Sequence, residues 1–593
     1  MKKVSYTRDR GKTAQVLPGL MCFIIVISIF CVPWDYSYPL AAVVVAALSG
    51  GMAAVFLSFR HPQGNGSAGV NIISILLVLS LSVVHFRDGG PESDLRFLHV
   101  ILTAVLYIGF RGVWTCCGNL GDRFFPVVLA LTVIAESVYA AVQVISGSPL
   151  AEWEFICRGF FPNPGPLGGY TAAVCVTVAA FLPLERGKTG KMVLFVCLLA
   201  GFSLLLATGS RSAALSVAVC LFCRIALSRR FRAGICGLFK RKPLFSAVLS
   251  LSLFILLATA AVGIYRVKSA SADGRVFINR MSVLAMKENG FRGSGLGSYP
   301  RAYASAQSGY FSGESYTEKE RLGADCPQKG FNEYLELGVE AGLLPMTLFI
   351  LLMAASTFRL LREGSPWGYC LLSLSVFSMF SYPLVFVRFR VLCAMALSRA
   401  SVQERHGGTD GVRKPVLVPA VCLLLLVCQA AMVPDMLRHC KAAGEWRATR
   451  IWYENGMYLT VLDKWSDLYS RMRHNADFLT EYGTALTRSG LYDESDSVMH
   501  DLQRVCSDPL PFNIMSENSR RRADYSSAVR WSRKAFSMAP NRIGPLGSLA
   551  LIYFEAGDTL RLRQIRDSIE CFVPKIESVR TEAVRKEVRK LGF

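Results

Sequence analysis

Arginine at the ends of apolar segments is the residue type in this sequence best suited to chemistry. Arg211 lies at residues 208–213, a short polar stretch between two apolar runs. A cation beside hydrocarbon is costly to keep there, and a guanidinium binds phosphate oxygens through paired hydrogen bonds. Arg211 is therefore a candidate for binding a phosphate-bearing substrate, and Ser210 could assist or cap the next helix. The alternative is an arginine that extends from a helix end to the membrane surface.

Two glycine- or proline-rich segments bring further polar groups to the ends of apolar runs. Residues 159–166 form a rigid proline-containing turn, in which Asn163 could donate a hydrogen bond to a ligand. The alternative is a plain loop leading into a helix. Farther along, Gly293, Gly295 and Gly297 alternate, a pattern that lets backbone N–H groups approach an anion.

Three carboxylates follow at helical spacing. Glu333, Glu336 and Glu340 are predicted to share one face of a helix. A carboxylate near lipid can serve as a general base, and Glu333 is the catalytic candidate among them. The alternative, favoured for Glu336, is a solvated amphipathic helix with one acidic side.

Several kinds of site have no support in the sequence. None of the seven histidines lies within residues 266–341, and the sequence contains no HExxH motif, no pair of CxxC motifs and no aspartate-rich site. No Walker A sequence is present either, so we expect no metal, no cofactor and no use of ATP. Cys157 and Cys326 fall in polar segments predicted on the same side, where they either pair in an oxidising compartment or remain free thiols.

The composition places these residues on a membrane protein. The 593-residue chain is 52% hydrophobic and 18% charged, with a mean hydropathy of +0.37, whereas soluble domains carry about 25% charged residues. An ordinary soluble enzyme, a disordered chain and a cysteine-stapled secreted domain are excluded. Apolar runs of about 20 residues must be helices in a bilayer, and about 12 or 13 are expected here. They are residues 17–32, 38–59, 70–86, 97–114, 124–145, 168–184, 192–207, 212–227, 244–265, 342–358, 367–387, the short 391–397, and 416–433.

Basic residues orient these spans. The basic N-terminus and the clusters at 229–232 and 240–242 are predicted to be cytoplasmic. The net charge of +22 is then topogenic, because no aromatic–basic platform for nucleic acid accompanies it. Segments 146–167, 208–211 and 266–341 fall outside. The last is the longest polar interval of the membrane part, and loops of that length are usually functional.

The pattern changes to that of a soluble helical domain after Val433, which divides the chain into domains 1–433 and 434–593. Tyr492, Tyr525 and Thr559 recur at offsets of 33 and 34 residues, each two residues after a small residue and before helical spacing of apolar residues. A helix–turn–helix period of about 34 residues is typical of tetratricopeptide repeats, with a generic array of helical hairpins as the alternative. If 391–397 crosses the membrane, this tail lies outside, which the basic linker 399–414 favours; otherwise it is cytoplasmic.

In their order along the chain, these segments resemble the O-antigen ligase and polymerase superfamily of bacterial envelopes. The likeness covers roughly residues 17–433, and members with appended tetratricopeptide repeats are familiar. It is carried by residues 159–170, 210–212, 274–275 with 293–299, and 332–335 followed by 340–343.

The resemblance implies an all-α, GT-C-like membrane glycosyltransferase at the periplasmic face of the bacterial inner membrane. Such enzymes transfer a glycan from undecaprenyl pyrophosphate to an acceptor, without metal or nucleotide. Arg211 and Arg275 would then bind the donor pyrophosphate and stabilise the charge of the leaving group. The remaining predicted substrate-binding residues are Asn163, Ser210, Arg280, Arg292 and Asn332.

One position departs from the family pattern. Many ligases have a histidine immediately before the residue that matches Asn332, and here that position is Phe331. The base is then another group, with Glu333 or Asp325 as candidates, or the leaving group reacts without a base. Loss of activity is the lowest-ranked interpretation.

The first functional interpretation is transfer to an acceptor such as lipid A core, a protein Ser/Thr or another surface molecule. The second is polymerisation of the same lipid-linked repeat units. Two interpretations of other classes are a lipid-linked glycan transporter, which would carry inverted repeats, and a non-catalytic assembly scaffold. The expected partners are the lipid-linked donor, a lipid or protein acceptor, membrane lipid and a protein bound by the repeats, but no nucleic acid.

Overall fold

A computed structural model describes residues 16–32, 35–60, 67–116, 120–146, 157–228, 269–313, 316–402, 417–575 and 577–591. Within these ranges the chain is helical and contains no strand. The predicted span 244–265, the basic clusters at 229–242 and most of the linker 399–414 lie outside the described residues.

The first part of the chain forms a helical bundle. Its helices are α1 (Val16–Phe30), α2 (Tyr38–Arg60), α3 (Ala68–Asp88), α4 (Pro91–Cys116), α5 (Leu120–Ile145), α6 (Pro164–Phe181), α7 (Lys188–Thr208), α8 (Arg211–Leu227), α9 (Ser269–Glu288), α10 (Tyr299–Ser312), α11 (Glu318–Gly323), α12 (Glu333–Ala341), α13 (Leu343–Arg362), α14 (Trp367–Ser378), α15 (Val387–Ser401) and α16 (Leu417–Glu454).

Eight helices within the described ranges are long and apolar enough to cross a membrane: α2 to α7, α13 and α16. The predicted all-α, polytopic membrane fold is therefore confirmed. The predicted spans 17–32 and 212–227 form the shorter helices α1 and α8. The expected total of 12 or 13 stays a prediction.

The predicted span 367–387 is wrong, because the helix stops at Ser378. A break at residues 379–386, which contains the 3-10 turn Pro383–Val385, separates α14 from α15. Proline cannot donate the backbone hydrogen bond that a continuing helix needs. Trp114 contacts both ends of this hairpin, since its ring lies 5.7 Å from that of Trp367 and its Nε1 donates to Ser398 Oγ at 3.0 Å. The two helices therefore run up and back, with the break at the tip.

Helix α15 forms the centre of the bundle. Every one of its residues from Val387 to Ser401 is buried, including three arginines. Helix α6, whose Tyr170 ring lies 5.7 Å from that of Phe389, is nearly as buried. A Cβ atom on Gly169 of α6 would lie 2.2 Å from the Phe377 ring of α14. Glycine is therefore required for this close helix approach.

The helices between Tyr458 and Lys590 form a row of helical hairpins, as the period near 34 residues predicted. Backbone φ is positive at Gly490 (83°), Ala523 (59°) and Gly557 (72°), and a new helix begins two residues after each. These turns recur at the predicted offsets, whereas assignment to the tetratricopeptide family stays a prediction. The helices are α17 (Tyr458–Met472), α18 (Ala476–Arg488), α19 (Tyr492–Val505), α20 (Leu510–Arg521), α21 (Tyr525–Met538), α22 (Gly544–Glu555), α23 (Thr559–Glu570) and α24 (Val579–Lys590).

This row of hairpins packs on the segment that contains α9 to α12. Gln307 Nε2 of α10 donates to the Met538 carbonyl at 2.6 Å, and Ser308 Oγ lies 2.7 Å from Ser537 Oγ. Asn541 Nδ2 donates to the Ala324 carbonyl at 2.7 Å. The C-terminal helices and the long polar segment therefore occupy the same end of the bundle.

Candidate functional site

Two arginines meet at the tip of the α14–α15 hairpin. Arg211 is the first residue of α8, and Arg275 lies on α9. Arg275 Nη1 donates to the Phe380 carbonyl in the break at 3.1 Å, and its guanidinium lies 5.3 Å from the centre of the Phe331 ring. Helices far apart in sequence thus bring these two cations to one place.

These two cations repel each other. Burial lowers the pKa of Arg275, and the positive charge of Arg211 lowers it further. Among the described residues, no carboxylate forms a salt bridge with either arginine. An anion bound beside both would relieve this repulsion, and paired guanidinium groups suit the oxygens of a pyrophosphate.

Two helix N-termini point to the same region. Helix α6 begins at Pro164 and α8 at Arg211, and Ser210 Oγ donates to the Gly165 carbonyl at 3.5 Å, so the two ends touch. The Ser210 side chain does not cap α8. The first N–H groups of a helix and its dipole favour an anion. The predicted residues Ser210 and Arg211 therefore lie together in an electropositive corner.

Asn163 joins this corner to the break at 379–386. Its Oδ1 accepts from the Gly165 N–H at 3.1 Å and caps α6, while its Nδ2 donates to Tyr382 Oη at 3.2 Å. The Tyr382 ring lies 5.2 Å from that of Phe331. Tyr382 was not among the predicted residues, although a tyrosine next to Pro383 inside an apolar run was a visible sign.

Phe331 and Asn332 form the turn that leads into α12. Asn332 caps this helix, because its Oδ1 accepts from the N–H groups of Tyr334 at 3.1 Å and Leu335 at 3.2 Å. Phe331 has a φ of 48°, which is uncommon for a side chain of its size. The turn places the Phe331 ring beside both Arg275 and Tyr382.

The acidic face of α12 is buried, so the solvated helix favoured for Glu336 is wrong. Glu336 and Glu340 are fully buried and Glu333 is 3% exposed. All three surround Arg96 of α4, whose guanidinium lies 3.1 Å from Glu340, 3.1 Å from Glu336 and 3.9 Å from Glu333. The helical spacing of the three glutamates was predicted correctly. Their partner is a cation from a distant helix rather than water.

The charges around α12 are balanced. Lys329 Nζ lies 3.7 Å from Glu336, and Arg390 of α15 interacts electrostatically with Glu333. Three cations therefore face three carboxylates. Burial lowers the pKa of Lys329 to about 8 despite these carboxylates. We call Arg96, Lys329, Arg390, Glu333, Glu336 and Glu340 the buried charge cluster.

Glu333 connects the buried charge cluster to the candidate site. One carboxylate oxygen accepts from the Leu384 N–H in the break at 3.2 Å. Burial and the neighbouring Glu336 raise the pKa of Glu333, and the positive charges of Arg96 and Arg390 oppose that rise. A carboxyl group with a raised pKa can exchange a proton closer to neutral pH than an exposed glutamate does.

The alternating glycines serve an internal contact. A Cβ atom on Gly293 would lie 2.5 Å from the Glu340 carbonyl oxygen, and one on Gly297 would lie 2.3 Å from that of Glu92. The N–H of Gly295 donates to the Glu340 carbonyl at 2.9 Å, and that of Gly297 donates to the Glu340 carboxylate. The anion that these glycines approach is thus the Glu340 carboxylate of the same chain.

The remaining predicted residues lie apart from the arginine pair. Arg280 forms a salt bridge with Glu320 and lies 5.1 Å over the Tyr310 ring. Arg292 is exposed in the glycine turn. Asp325 is exposed. Its carbonyl accepts a hydrogen bond from Gln307, which also contacts the C-terminal hairpins, so Asp325 lies on their side of the molecule. Cys157 and Cys326, which the sequence left as a pair or two free thiols, are both free thiols in this structure.

A second buried ion pair fixes the other side of the tip. Arg388, at the start of α15, pairs with Glu136 of α5 and lies 3.6 Å over the Phe161 ring. The second oxygen of Glu136 accepts from the Phe160 N–H at 2.9 Å. Neither charge was among the predicted residues: Glu136 lies inside the predicted span 124–145, and Arg388 lies between the predicted spans 367–387 and 391–397.

Residues 194–350 match the family model described as O-antigen ligase. The match runs from α7 into α13 and includes Arg211, Arg275 and Glu333. It supports the O-antigen ligase family and, with it, a membrane glycan ligase- or polymerase-type role that uses lipid-linked glycan donors. No curated protein matches the chain.

The segment similar to O-antigen ligases does not contain the whole candidate site. Asn163 lies before residue 194, and Tyr382 lies after residue 350, yet the two are hydrogen-bonded to each other. The site therefore includes parts of α6 and the break at 379–386 in addition to the matched segment.

Proposed function

We propose that this protein transfers a glycan from undecaprenyl pyrophosphate to an acceptor at the periplasmic face of a bacterial inner membrane, as O-antigen ligases do. The observation that carries the proposal is the pair Arg211 and Arg275, held together without a carboxylate partner among the described residues. The N-termini of α6 and α8 add to the positive potential around this arginine pair.

The reaction is a substitution at the anomeric carbon of the donor sugar. An acceptor hydroxyl forms a bond to this carbon, while the bond from the carbon to the pyrophosphate oxygen breaks. Negative charge develops on the pyrophosphate, and Arg211 and Arg275 stabilise it most at the point where it is greatest. The products are the glycosylated acceptor and undecaprenyl pyrophosphate.

The proton of the acceptor hydroxyl needs a destination. Glu333 is our candidate base, because it contacts the break at 379–386 and the pKa of its carboxyl is raised. Asn163 and Asn332 shape the site by capping α6 and α12, and Ser210 joins the start of α8 to that of α6. Arg280 and Arg292 take no part in this mechanism.

The test is a strain lacking the gene, complemented with the wild type, Arg211→Ala or Arg275→Ala. Surface glycans and undecaprenyl-linked intermediates are measured together by mass spectrometry. We expect full-length lipid-linked glycan to accumulate with either variant, and its acceptor to lack the glycan. Arg224→Ala is the matched control, since Arg224 stands at the opposite end of α8 over the Tyr369 ring, and it should restore transfer.

Other outcomes assign the other functions. Accumulation of single repeat units would identify a polymerase. The two acceptor classes, lipid A core and protein Ser/Thr, are distinguished by which molecule loses its glycan. If deletion leaves both the lipid-linked and the acceptor-linked glycans unchanged, the glycosyltransferase proposal is refuted in favour of a transporter or a scaffold whose C-terminal repeats bind a partner.

A further inference from the structure

A cavity of about 290 Å³ lies away from the arginine pair, between α4 and α16. Its lining divides into two kinds of residue. Leu98, Met432 and Met436 form an apolar side, whereas Tyr36, Asp94 and Asp435 form a polar side. The cavity therefore joins an apolar surface to an acidic one over a short distance.

The position of the cavity follows from where two apolar runs end. Asp94 lies in the first turn of α4, directly before its apolar stretch, and Asp435 follows Pro434, where the apolar part of α16 ends. Both helices are candidate membrane spans. The two carboxylates are thus at the boundary between hydrocarbon and water, on the end of the bundle that carries the C-terminal hairpins.

Tyr36 supplies an unused hydrogen-bonding group. Its ring is stacked on His439 at 4.4 Å and contacts His474 edge-on at 4.8 Å, so the residue is only 4% exposed. No described residue forms a hydrogen bond with its hydroxyl, although the residue lines the cavity. Burial and the carboxylates of Asp94 and Asp435 raise the pKa of Tyr36, which keeps this hydroxyl neutral.

The two carboxylates differ in their partners. Asp435 is shared by Arg438 at 3.0 Å and His439 at 3.2 Å. Within the described residues, no hydrogen bond or salt bridge reaches the carboxylate of Asp94. The exposed carboxylates of Asp94 and Asp435, beside the Tyr36 hydroxyl and an apolar surface, fit a cation that carries N–H donors and an attached hydrocarbon chain.

We propose that this cavity binds the ammonium group of a phospholipid with an ethanolamine headgroup. The ammonium donates to Asp94, Asp435 and Tyr36 Oη, and the acyl chains extend along Leu98 and Met432. Arg438, which is exposed and pairs with Asp435 of the cavity, would bind the lipid phosphate. This lipid would hold the base of the C-terminal hairpins to the membrane domain, independently of the reaction at Arg211 and Arg275.

Native mass spectrometry of the purified, delipidated full chain tests the proposal. The protein receives equal amounts of phosphatidylethanolamine, phosphatidylglycerol and phosphatidylcholine with the same acyl chains. A charge-assisted hydrogen bond contributes roughly 1.5–3 kcal/mol, so we expect about tenfold more of the ethanolamine lipid in the first bound adduct. Phosphatidylglycerol lacks the cation, and phosphatidylcholine lacks the N–H donors.

Two variants locate the preference in the cavity. Asp94→Asn should reduce it about tenfold, and Tyr36→Phe, which removes only the hydroxyl, should reduce it severalfold. Asp467→Asn removes an exposed carboxylate of α17 and should leave the preference unchanged.

Three results would overturn the proposal. They are equal binding of the three lipids by the wild type, an undiminished preference in both cavity variants, and displacement of the lipid by free ethanolamine at the same concentration. The last would indicate a site for soluble amines. The lipid series on the wild type decides the question even if Asp94→Asn does not fold.

Discussion

Replacement of Arg96 by methionine should destabilise α12 more than any exposed substitution. Methionine keeps much of the length of arginine but removes the cation that lies 3.1 Å, 3.1 Å and 3.9 Å from three carboxylates. Two cations of the buried charge cluster then face three carboxylates. Removal of one partner from a buried ion pair costs about 3–5 kcal/mol, because the other partner stays buried without compensation.

Hydrogen exchange measures this cost where it arises. In the full chain purified in detergent, the amides of α12 should exchange about two to four orders of magnitude faster in Arg96→Met than in the wild type. Arg96→Lys keeps the charge but not the planar guanidinium group with its paired N–H donors, so it should give an intermediate rate of amide exchange. Arg224→Ala, which changes an exposed arginine of α8, is the matched control and should leave α12 unchanged.

A second substitution tests the reasoning on charge balance. Glu340→Gln in the Arg96→Met background leaves two cations and two carboxylates, so part of the lost protection should return. The charge of Arg96 does not hold α12 in place if Arg96→Met speeds exchange less than fivefold, or if Glu340→Gln makes the double variant exchange faster still.

Three further predictions concern the same end of the bundle. Gly293→Ala places a Cβ atom 2.5 Å from the Glu340 carbonyl oxygen at a φ of 84°, so it should lower the free energy of unfolding by about 1–3 kcal/mol, measured by denaturant titration. The pKa of Lys329 is lowered to about 8 in the folded protein, so the unfolded chain binds more protons than the folded one above that pH. The stability of the wild type relative to Lys329→Met should therefore rise between pH 8 and about 10.5. A stability difference that does not change with pH would contradict this. Arg388→Met should cost about 3–5 kcal/mol and speed exchange at residues 157–163, and unchanged exchange there would contradict the anchoring role of Arg388.

Much of the fold could be predicted from the sequence, because hydrophobic length decides which segments cross a bilayer. Most predicted runs became helices with boundaries shifted by a few residues. The period of the C-terminal hairpins was also visible, since the small or glycine residues of the turns recur. The end of α14 was missed because an apolar composition continues through the buried break at 379–386.

The site could be predicted only in part. Arg211 and Arg275 stood out by their residue type and location, whereas Asn163 and Tyr382 contact each other across 219 residues of sequence. The acidic face of α12 illustrates the limit most clearly. The spacing of its glutamates reveals one polar face. A single sequence does not show whether water or a buried arginine contacts that face.

The most direct test of the account is the binding of undecaprenyl pyrophosphate to the purified full chain. This molecule contains the part of the donor that Arg211 and Arg275 are proposed to bind, whatever the sugar. Arg211→Ala and Arg275→Ala should each weaken binding about 10- to 100-fold, as loss of a charge-assisted hydrogen bond predicts, and Arg224→Ala should not. Equal affinity of all four proteins would contradict the proposed donor site.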